Sequence, residues 1–339
     1  MLSLPVLLGT VVDAPIALVG DTGKRRALVL GGGVIFGGSL LLFATAPDLV
    51  VLLVGVCLSW FASGAFVGLT HATWMDLDPA RTEGNMATWV VAGSVGAVLG
   101  PAILGITLSA GGSWRDATVF AAAITLPVLV AASRITFPAP HPDSADLRHA
   151  FSGAMTALRT RSVLRWLVLL EVTDLLQDVF LGYVAVYLVD VAGASPARGG
   201  FGVAVLATAG LVGDVALVEL LRWVDGLRSL RWSAAAMLIA YPTFLIVPGA
   251  TAKIALLAPI GLLRAGWYAI LEGRLYSELP GRGGTTLALK SPIDLLGAAL
   301  PFAIGVIAQQ VGLEAAMWLL LGAPVALLLL LPRPRGGRS

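Results

Sequence analysis

Charged side chains are scarce in this chain of 339 residues. Only 12% of the residues are Asp, Glu, Lys or Arg, whereas 58% are hydrophobic and the mean hydropathy is +0.90. A soluble domain contains about 25% charged residues, and long apolar runs recur here along the whole length. The composition therefore indicates a polytopic membrane protein, and a net charge of only +2 argues against a nucleic-acid partner.

Residues that bind metals or form disulfides are equally few. Cys57 is the single cysteine and lies in an apolar run, which excludes a disulfide framework and a cysteine metal site. His71, His141 and His149 are too widely scattered for ligand spacing, so we expect no metal or other cofactor. A polytopic membrane enzyme is also disfavoured, because we find no nucleophile–base pair or lipid-phosphate motif near a predicted membrane interface.

Eleven apolar segments are long enough to cross a bilayer, which requires roughly 20 residues in a helix. The sequence thus predicts an all-α membrane protein with eleven transmembrane helices. The predicted spans are 2–20, 27–46, 50–73, 86–110, 117–133, 163–189, 202–221, 232–250, 254–271, 286–311 and 315–331.

The basic residues orient these spans, because Lys and Arg favour cytoplasmic loops. If the loop containing Lys24 lies in the cytoplasm and the helix ends alternate, seventeen of the 22 basic residues are cytoplasmic. Two more fall inside spans, and the outer side keeps only Arg115, Arg198 and Lys253. The asymmetry predicts a cytoplasmic C-terminus, and an odd number of spans then puts Met1 outside. No polar segment precedes the first span to hold it there. Either eleven spans are the full set, or an upstream helix is missing from this chain.

Residues 136–162 separate five predicted spans (1–135) from six (163–332), and a basic cytoplasmic tail (333–339) follows. Within this linker the residues Leu147, Phe151, Met155 and Leu158 fall near helical spacing. We interpret them as an amphipathic helix at the cytoplasmic membrane surface, with Asp143 or Ser144 as its cap; a disordered basic linker is the alternative. Each half also contains an acid-then-basic turn after an apolar helix, GDTGKRR at 20–26 and VDGLRSLR at 224–231.

Three acids interrupt the apolar segment EVTDLLQDVFLGYVAVYLV. Glu171, Asp174 and Asp178 stand at i, i+3 and i+7, on one stripe about 60° wide. An acid at the bilayer centre costs roughly 2.5–3.5 kcal/mol, so the stripe should face an aqueous or protein-lined cavity. The two interpretations are a proton-coupling site and a fixed ion-pair network.

Further charges lie inside predicted spans and are candidates for the same cavity: Asp13, Asp214, Arg264, Lys290 and Asp294. Arg264 is equally suited to pair with a carboxylate or to contact a substrate. Lys290 and Asp294, at i and i+4, either contribute to the cavity or neutralise each other within one helix.

Two motifs resemble those of bacterial transporters of the major facilitator superfamily. GDTGKRR, with Asp21, Lys24, Arg25 and Arg26, is a shortened form of the signature loop between the second and third helices of that family. The resemblance implies a fold of two helical bundles, with 1–135 as family helices 2–6 and 163–332 as helices 7–12. It also implies that the four charged residues latch the cytoplasmic gate by ion pairs, and that the first family helix is absent through a gene-start error, a truncation or divergence.

The second motif, GAVLGPAILG, is similar to the antiporter motif of the family's fifth helix. Its matching residues are Gly96, Gly100, Pro101 and Gly105. Glycines at this spacing let two helices approach closely, and the proline bends the helix. The resemblance associates the motif with proton-coupled export, although ordinary helix packing accounts for it equally well.

Together these features predict proton-coupled efflux of small, partly apolar organic compounds by alternating access, in the plasma membrane of a bacterium. The expected partners are a small-molecule substrate, protons and the lipid bilayer, with the oligomeric state left open. Few amide or hydroxyl side chains occur inside the spans, which disfavours a sugar site. The alternatives are uptake of a small nutrient by the same fold and a truncated remnant that does not transport.

Overall fold

The computed structural model describes residues 12–139, 147–297 and 299–332, and these residues form a succession of helices. The first stretch, Val12–Thr45, contains α1 (12–19) and α2 (Arg25–Thr45). The others are α3 (Leu49–Leu77), α4 (Pro79–Ser109), α5 (Trp114–Ser133), α6 (Leu147–Leu158), α7 (Arg161–Asp190), α8 (Pro196–Leu220), α9 (Gly226–Ile246), α10 (Ala250–Glu278), α11 (Gly283–Val311) and α12 (Leu313–Leu330).

Ten helical stretches in the described part of the chain are long and apolar enough to cross a membrane, against eleven predicted. The difference arises in Val12–Thr45, where two predicted spans form one continuous stretch of 34 residues. A straight helix of that length would measure about 51 Å, far more than a bilayer core of about 30 Å. Thr22 and Gly23 leave helical geometry, with Gly23 at φ +89°, so the chain turns between α1 and α2. Residues 2–11 of the first predicted span lie outside the described residues.

Several long helices are irregular in their interiors, and three of these irregularities bear on the predicted cavity. α3 contains a π-helical turn at Gly64–Gly68, and α7 contains another at Leu175–Val179. α10 is broken after Arg264, where Gly266 adopts φ +80°. Turns of the π type free backbone carbonyls and often occur at functional sites, and the charged residues predicted for the cavity lie beside all three irregularities.

The helices pack into two compact units that do not follow sequence order. The first contains the described residues of Met1–Thr82, Gly93–Val163 and Leu275–Leu295, and the second those of Glu83–Ala92, Leu164–Arg274 and Leu296–Ser339. The first unit thus includes the beginning of α11, and the second includes Glu83–Ala92 of α4. The main change of unit falls near the predicted linker, while the boundaries 1–135 and 163–332 stay a prediction.

In the first unit, contacts at the helix ends agree with the prediction that the chain alternates between the cytoplasmic and the outer side. Arg25, at the start of α2, bonds to Asp76 near the end of α3. At the opposite end of α2, Arg115 donates hydrogen bonds to the carbonyls of Ala44 (2.7 Å) and Ala46 (2.9 Å). Arg25 was predicted to be cytoplasmic and Arg115 to be outside, and the two lie at opposite ends of this unit.

This orientation predicts which sites a membrane-impermeant thiol reagent reaches in intact cells. In a Cys57→Ser background, Ser109→Cys at the exposed end of α4 should be labelled. Lys24→Cys, also exposed, should be labelled only after the membrane is permeabilised. The reverse pattern would overturn the orientation. Arg333, expected on the same side as Lys24, lies outside the described residues.

Lys253 lies near the start of α10, whereas Arg274 lies near its end. Lys253 stabilises the helix ends on its own side of the second unit. Its ammonium is buried, with 5% of the residue exposed. The ammonium donates to the carbonyls of Phe244 (2.7 Å) and Leu245 (2.9 Å) and to the Tyr187 hydroxyl (3.2 Å). These carbonyls belong to the last turn of α9, where intrahelical donors are lacking, so Lys253 caps that helix.

Lys253→Met should therefore destabilise the protein by about 1.5–3 kcal/mol, since charge-assisted hydrogen bonds are lost at a buried site. The matched control is Arg198→Met at the same end of the unit, because Arg198 makes an exposed 2.8 Å bond to Thr251. That control should change stability by no more than about 0.5 kcal/mol. The measurement is the unfolding temperature in detergent. If both variants lowered it equally, Lys253 would have no capping role.

Candidate functional site

Asp21 binds the beginning of α11 although the two are far apart in sequence. It lies in the turn between α1 and α2 and is only 3% exposed. Its Oδ1 accepts a hydrogen bond from the Gly284 amide (2.9 Å), and its Oδ2 accepts from the Thr285 amide (2.6 Å) and hydroxyl (2.8 Å). The first amides of a helix have no intrahelical acceptor and carry partial positive charge. Asp21 thus caps α11 and compensates its dipole.

Gly284 makes this close approach possible. A β-carbon at Gly284 would overlap the Asp21 carboxylate and the carbonyl oxygen of Ala17. The absence of a side chain therefore lets Asp21, in the turn after α1, approach the start of α11 within hydrogen-bonding distance.

Arg25 joins two carboxylates below the same helix end. Its guanidinium is buried, contacts Asp21 and donates to Oδ2 of Asp76 at 2.6 Å. The same Asp76 oxygen accepts from the Gly283 amide at 3.0 Å. Two acids and one arginine therefore carry a net negative charge at the positive end of α11, which is a favourable electrostatic arrangement.

The four residues predicted for the gate separate into two pairs. Asp21 and Arg25 belong to this buried cluster, which we name the α11 cap. Lys24 and Arg26 are exposed, and Arg26 donates to the Ser133 carbonyl at 3.0 Å instead. Sequence reasoning missed Asp76, although an acid that ends a long apolar segment is a signal that the sequence contains.

A second cluster of two acids and one arginine lies in the second unit. Arg274, near the end of α10, pairs with Glu83 on α4 and donates to Oδ1 of Asp225 at 2.9 Å. Asp225 also caps α9 by accepting from the Arg228 amide at 3.2 Å. The Glu83 carboxylate lies so close to Gly226 that a β-carbon there would overlap it. Asp225 is the residue that the second of the two acid-then-basic turns contributes to this cluster.

Arg264 is bound to the π-helical turn of the acid-bearing helix α7. Its Nη1 donates to the carbonyls of Leu176 (3.2 Å) and Gln177 (2.8 Å), and the Gln177 amide nitrogen donates back to the Arg264 carbonyl (3.1 Å). Arg264 is 8% exposed and interacts electrostatically with Asp214 and Asp178. The break in α10 after Arg264 frees its carbonyl for Gln177, while the π turn in α7 supplies acceptors for the guanidinium.

The three acids of α7 do not share one environment. Glu171 and Asp174 are half-buried, whereas Asp178 is exposed. The Glu171 carboxylate lies against Gly297, at a distance that excludes a β-carbon there. The π turn begins directly after Asp174 and contains Asp178. It changes the angle per residue, so the regular spacing used for the predicted stripe does not extend to Asp178.

The remaining predicted cavity residues, Asp13, Lys290 and Asp294, belong to the first unit. The Asp13 carboxylate lies against Gly64, the first residue of the π turn in α3, and a β-carbon at Gly64 would overlap it. Within the described part of the chain, Oδ1 of Asp13 is buried and has no hydrogen-bond partner. Asp294 is near enough to interact with Asp13 electrostatically. The predicted cavity residues thus form two groups, one in each unit.

The glycine motif on α4 has open space around it. Among the described residues, nothing lies within 4 Å of an ideal β-carbon at Gly96, Gly100 or Gly105. Pro101 lies inside the helix and is exposed. The predicted helix-packing role of this motif therefore stays a prediction.

Comparison with known proteins identifies the family. Residues 1–291 match the model of the Major Facilitator Superfamily, so the chain belongs to that family. This membership indicates a membrane transporter rather than an enzyme. No curated protein matches the chain.

Several solved structures share the fold. A variant of the E. coli fucose:proton symporter FucP has a TM-score of 0.83 at 14% identity, covering 97% of this chain and 88% of its own. A Major Facilitator Superfamily transporter, FucP, in the outward conformation gives 0.81 at 15% identity, with coverages of 96% and 87%. The human organic anion transporter MFSD10 (TETRAN) gives 0.71 at 20% identity, covering 96% of this chain and 82% of its own.

Proposed function

We propose that this protein is a proton-coupled secondary active transporter that exports small, partly apolar organic compounds by alternating access. The observation that carries the proposal is the α11 cap. By sequence, α11 belongs to the second half of the chain, whereas Asp21, Arg25 and Asp76 belong to the first. These contacts must break before the helix end can leave the first half, so the cap acts as a latch on the predicted cytoplasmic side.

A second latch of the same kind is formed by the cluster of Glu83, Asp225 and Arg274. Here the first turns of α4, which belong by sequence to the first half, are bound by residues of the second half. Both clusters lie at helix ends predicted to be cytoplasmic. We infer that the two clusters break and form together during the transport cycle.

The α7 acids supply the proposed proton site. Asp174 directly precedes the π turn to which Arg264 is bound, Asp178 lies within that turn, and Asp178 interacts with the arginine. A carboxyl beside a buried cation and an irregular helix turn can gain and lose a proton without unfolding the helix. Glu171, one turn nearer the predicted cytoplasmic end, extends the proton path in that direction. Asp13 and Asp294 form a second candidate group in the first unit.

Export is distinguished from uptake by the direction of proton movement in liposomes that contain purified protein and an internal pH dye. Tetraphenylphosphonium is a suitable probe because it is small, partly apolar and cannot itself release a proton. When added outside, it should make the interior more alkaline, since an antiporter releases protons as the compound enters. Acidification on adding L-fucose, with no response to tetraphenylphosphonium, would favour uptake by symport; protein-free liposomes serve as the control.

A further inference from the structure

The linker helix α6 belongs to the first unit, and one of its faces is buried there. Its buried residues are Ala150, Ala154 and Ala157, which recur at helical spacing. On the same helix, Gly153 lies against the guanidinium of Arg282, and a β-carbon there would overlap Nη2. Small residues thus hold this face close to the protein and fix which side of α6 points away from it.

The outer side of α6 is apolar. Leu147, Phe151 and Met155 are 46%, 58% and 44% exposed. They stand at i, i+4 and i+8, so they form one stripe along the helix. Moving such side chains out of water is favourable, so the stripe is a candidate for a contact outside this chain.

Within α6 and the short connection after it the charged side chains are all basic, whereas Asp143 and Asp146 precede the helix and lie outside the described residues. Between Leu147 and Val163 the sequence contains no Asp or Glu. The exposed charged or titratable residues of this segment are Arg148, His149, Arg159 and Arg161. An apolar stripe flanked by arginines is typical of helices that lie in the interface of an anionic bilayer.

The connection to the next helix keeps α6 close to the end of a membrane-spanning helix. α6 ends at Leu158, and the membrane-spanning helix α7 begins at Arg161. Only Arg159 and Thr160 separate the two helices, so α6 cannot lie far from the point where α7 leaves the bilayer. We propose that α6 binds the anionic lipid surface of the leaflet at this end of α7, predicted to be cytoplasmic, with its apolar stripe among the acyl chains and its arginines at the phosphates.

The proposal is tested on the full chain with an environment-sensitive fluorophore. In a Cys57→Ser background, the label is attached at Phe151→Cys, with Met155→Cys as a second position on the stripe. Thr156→Cys is the matched control, because Thr156 is exposed on the same helix but lies off the stripe. The protein is placed in nanodiscs of phosphatidylcholine with or without phosphatidylglycerol, one copy per disc.

Labels on the stripe should shift to shorter emission wavelength when phosphatidylglycerol is present, and the Thr156 label should not. The Arg148→Gln/Arg159→Gln variant should lose this dependence on the anionic lipid, and high salt should weaken it. Equal emission at all three positions, or a shift that ignores phosphatidylglycerol, would overturn the proposal. A shift that occurs only when several copies share one vesicle would indicate a second copy as the occupant and overturn it as well.

Discussion

Asp21→Asn should lower the maximal transport rate about tenfold or more while changing KM by no more than about twofold. The reason is the loss of charge at the end of α11. Asn retains one oxygen for the three donors of Gly284 and Thr285, and its amide group would face a backbone N–H. Losing hydrogen bonds to a charged group costs about 1.5–3 kcal/mol. A change of that size alters the balance between latched and open states by about tenfold to a hundredfold.

The matched control is Asp48→Asn at the opposite end of the first unit. Asp48 caps α3 by accepting from the Val51 amide at 2.9 Å, and Asn is an equally good cap. This control also removes one negative charge, but it should leave transport unchanged. If Asp21→Asn weakened substrate affinity at an unchanged maximal rate, Asp21 would belong to the binding site and the gating role would be wrong.

Arg264→Gln should abolish coupled transport and destabilise the protein by about 3–5 kcal/mol, as expected when one partner of a buried charge network is removed. The substitution takes the donor from the carbonyls of Leu176 and Gln177 and the countercharge from Asp178 and Asp214. Thermal unfolding in detergent measures the loss of stability, and the pH-dye assay measures transport.

A second substitution separates the charge from the hydrogen bonds. Arg264→Gln/Asp214→Asn removes an acid together with the arginine, so it should recover about 0.5–3 kcal/mol relative to Arg264→Gln. The carbonyls of the π turn stay without their donor, so recovery should be partial. Strictly additive destabilisation would mean that Asp214 and Arg264 do not interact.

Hydropathy was sufficient to predict the helices, because each span must bury its own apolar length in lipid. The predicted span 117–133 corresponds to Trp114–Ser133, and 286–311 corresponds to Gly283–Val311. The predicted alternation of basic helix ends also agrees with the contacts of Arg25 and Arg115 in the first unit. These features depend only on local composition, so they can be predicted from the sequence alone.

The site could not be predicted in the same way, because it is formed by contacts between residues that are distant in sequence. Asp21 and Gly284 are 263 positions apart, so the family motif indicated the gate but not its partner. The π turn at Leu175–Val179 separates Asp178 from the regular stripe, because hydrophobic periodicity assumes a constant angle per residue. Arg264 binds carbonyls of that same turn, which side-chain charge alone does not reveal.

Accumulation driven by a pH gradient tests the proton coupling most directly. Liposomes that are acidic inside, with the membrane potential held at zero by potassium and valinomycin, are supplied with tetraphenylphosphonium. The parent protein should concentrate the compound inside until the pH gradient is collapsed. The Asp174→Asn/Asp178→Asn variant should only equilibrate it, because the proton site is lost while the shape of the side chains is nearly kept. Accumulation by this variant to the same level as the parent would contradict the account and assign the α7 acids a purely structural role.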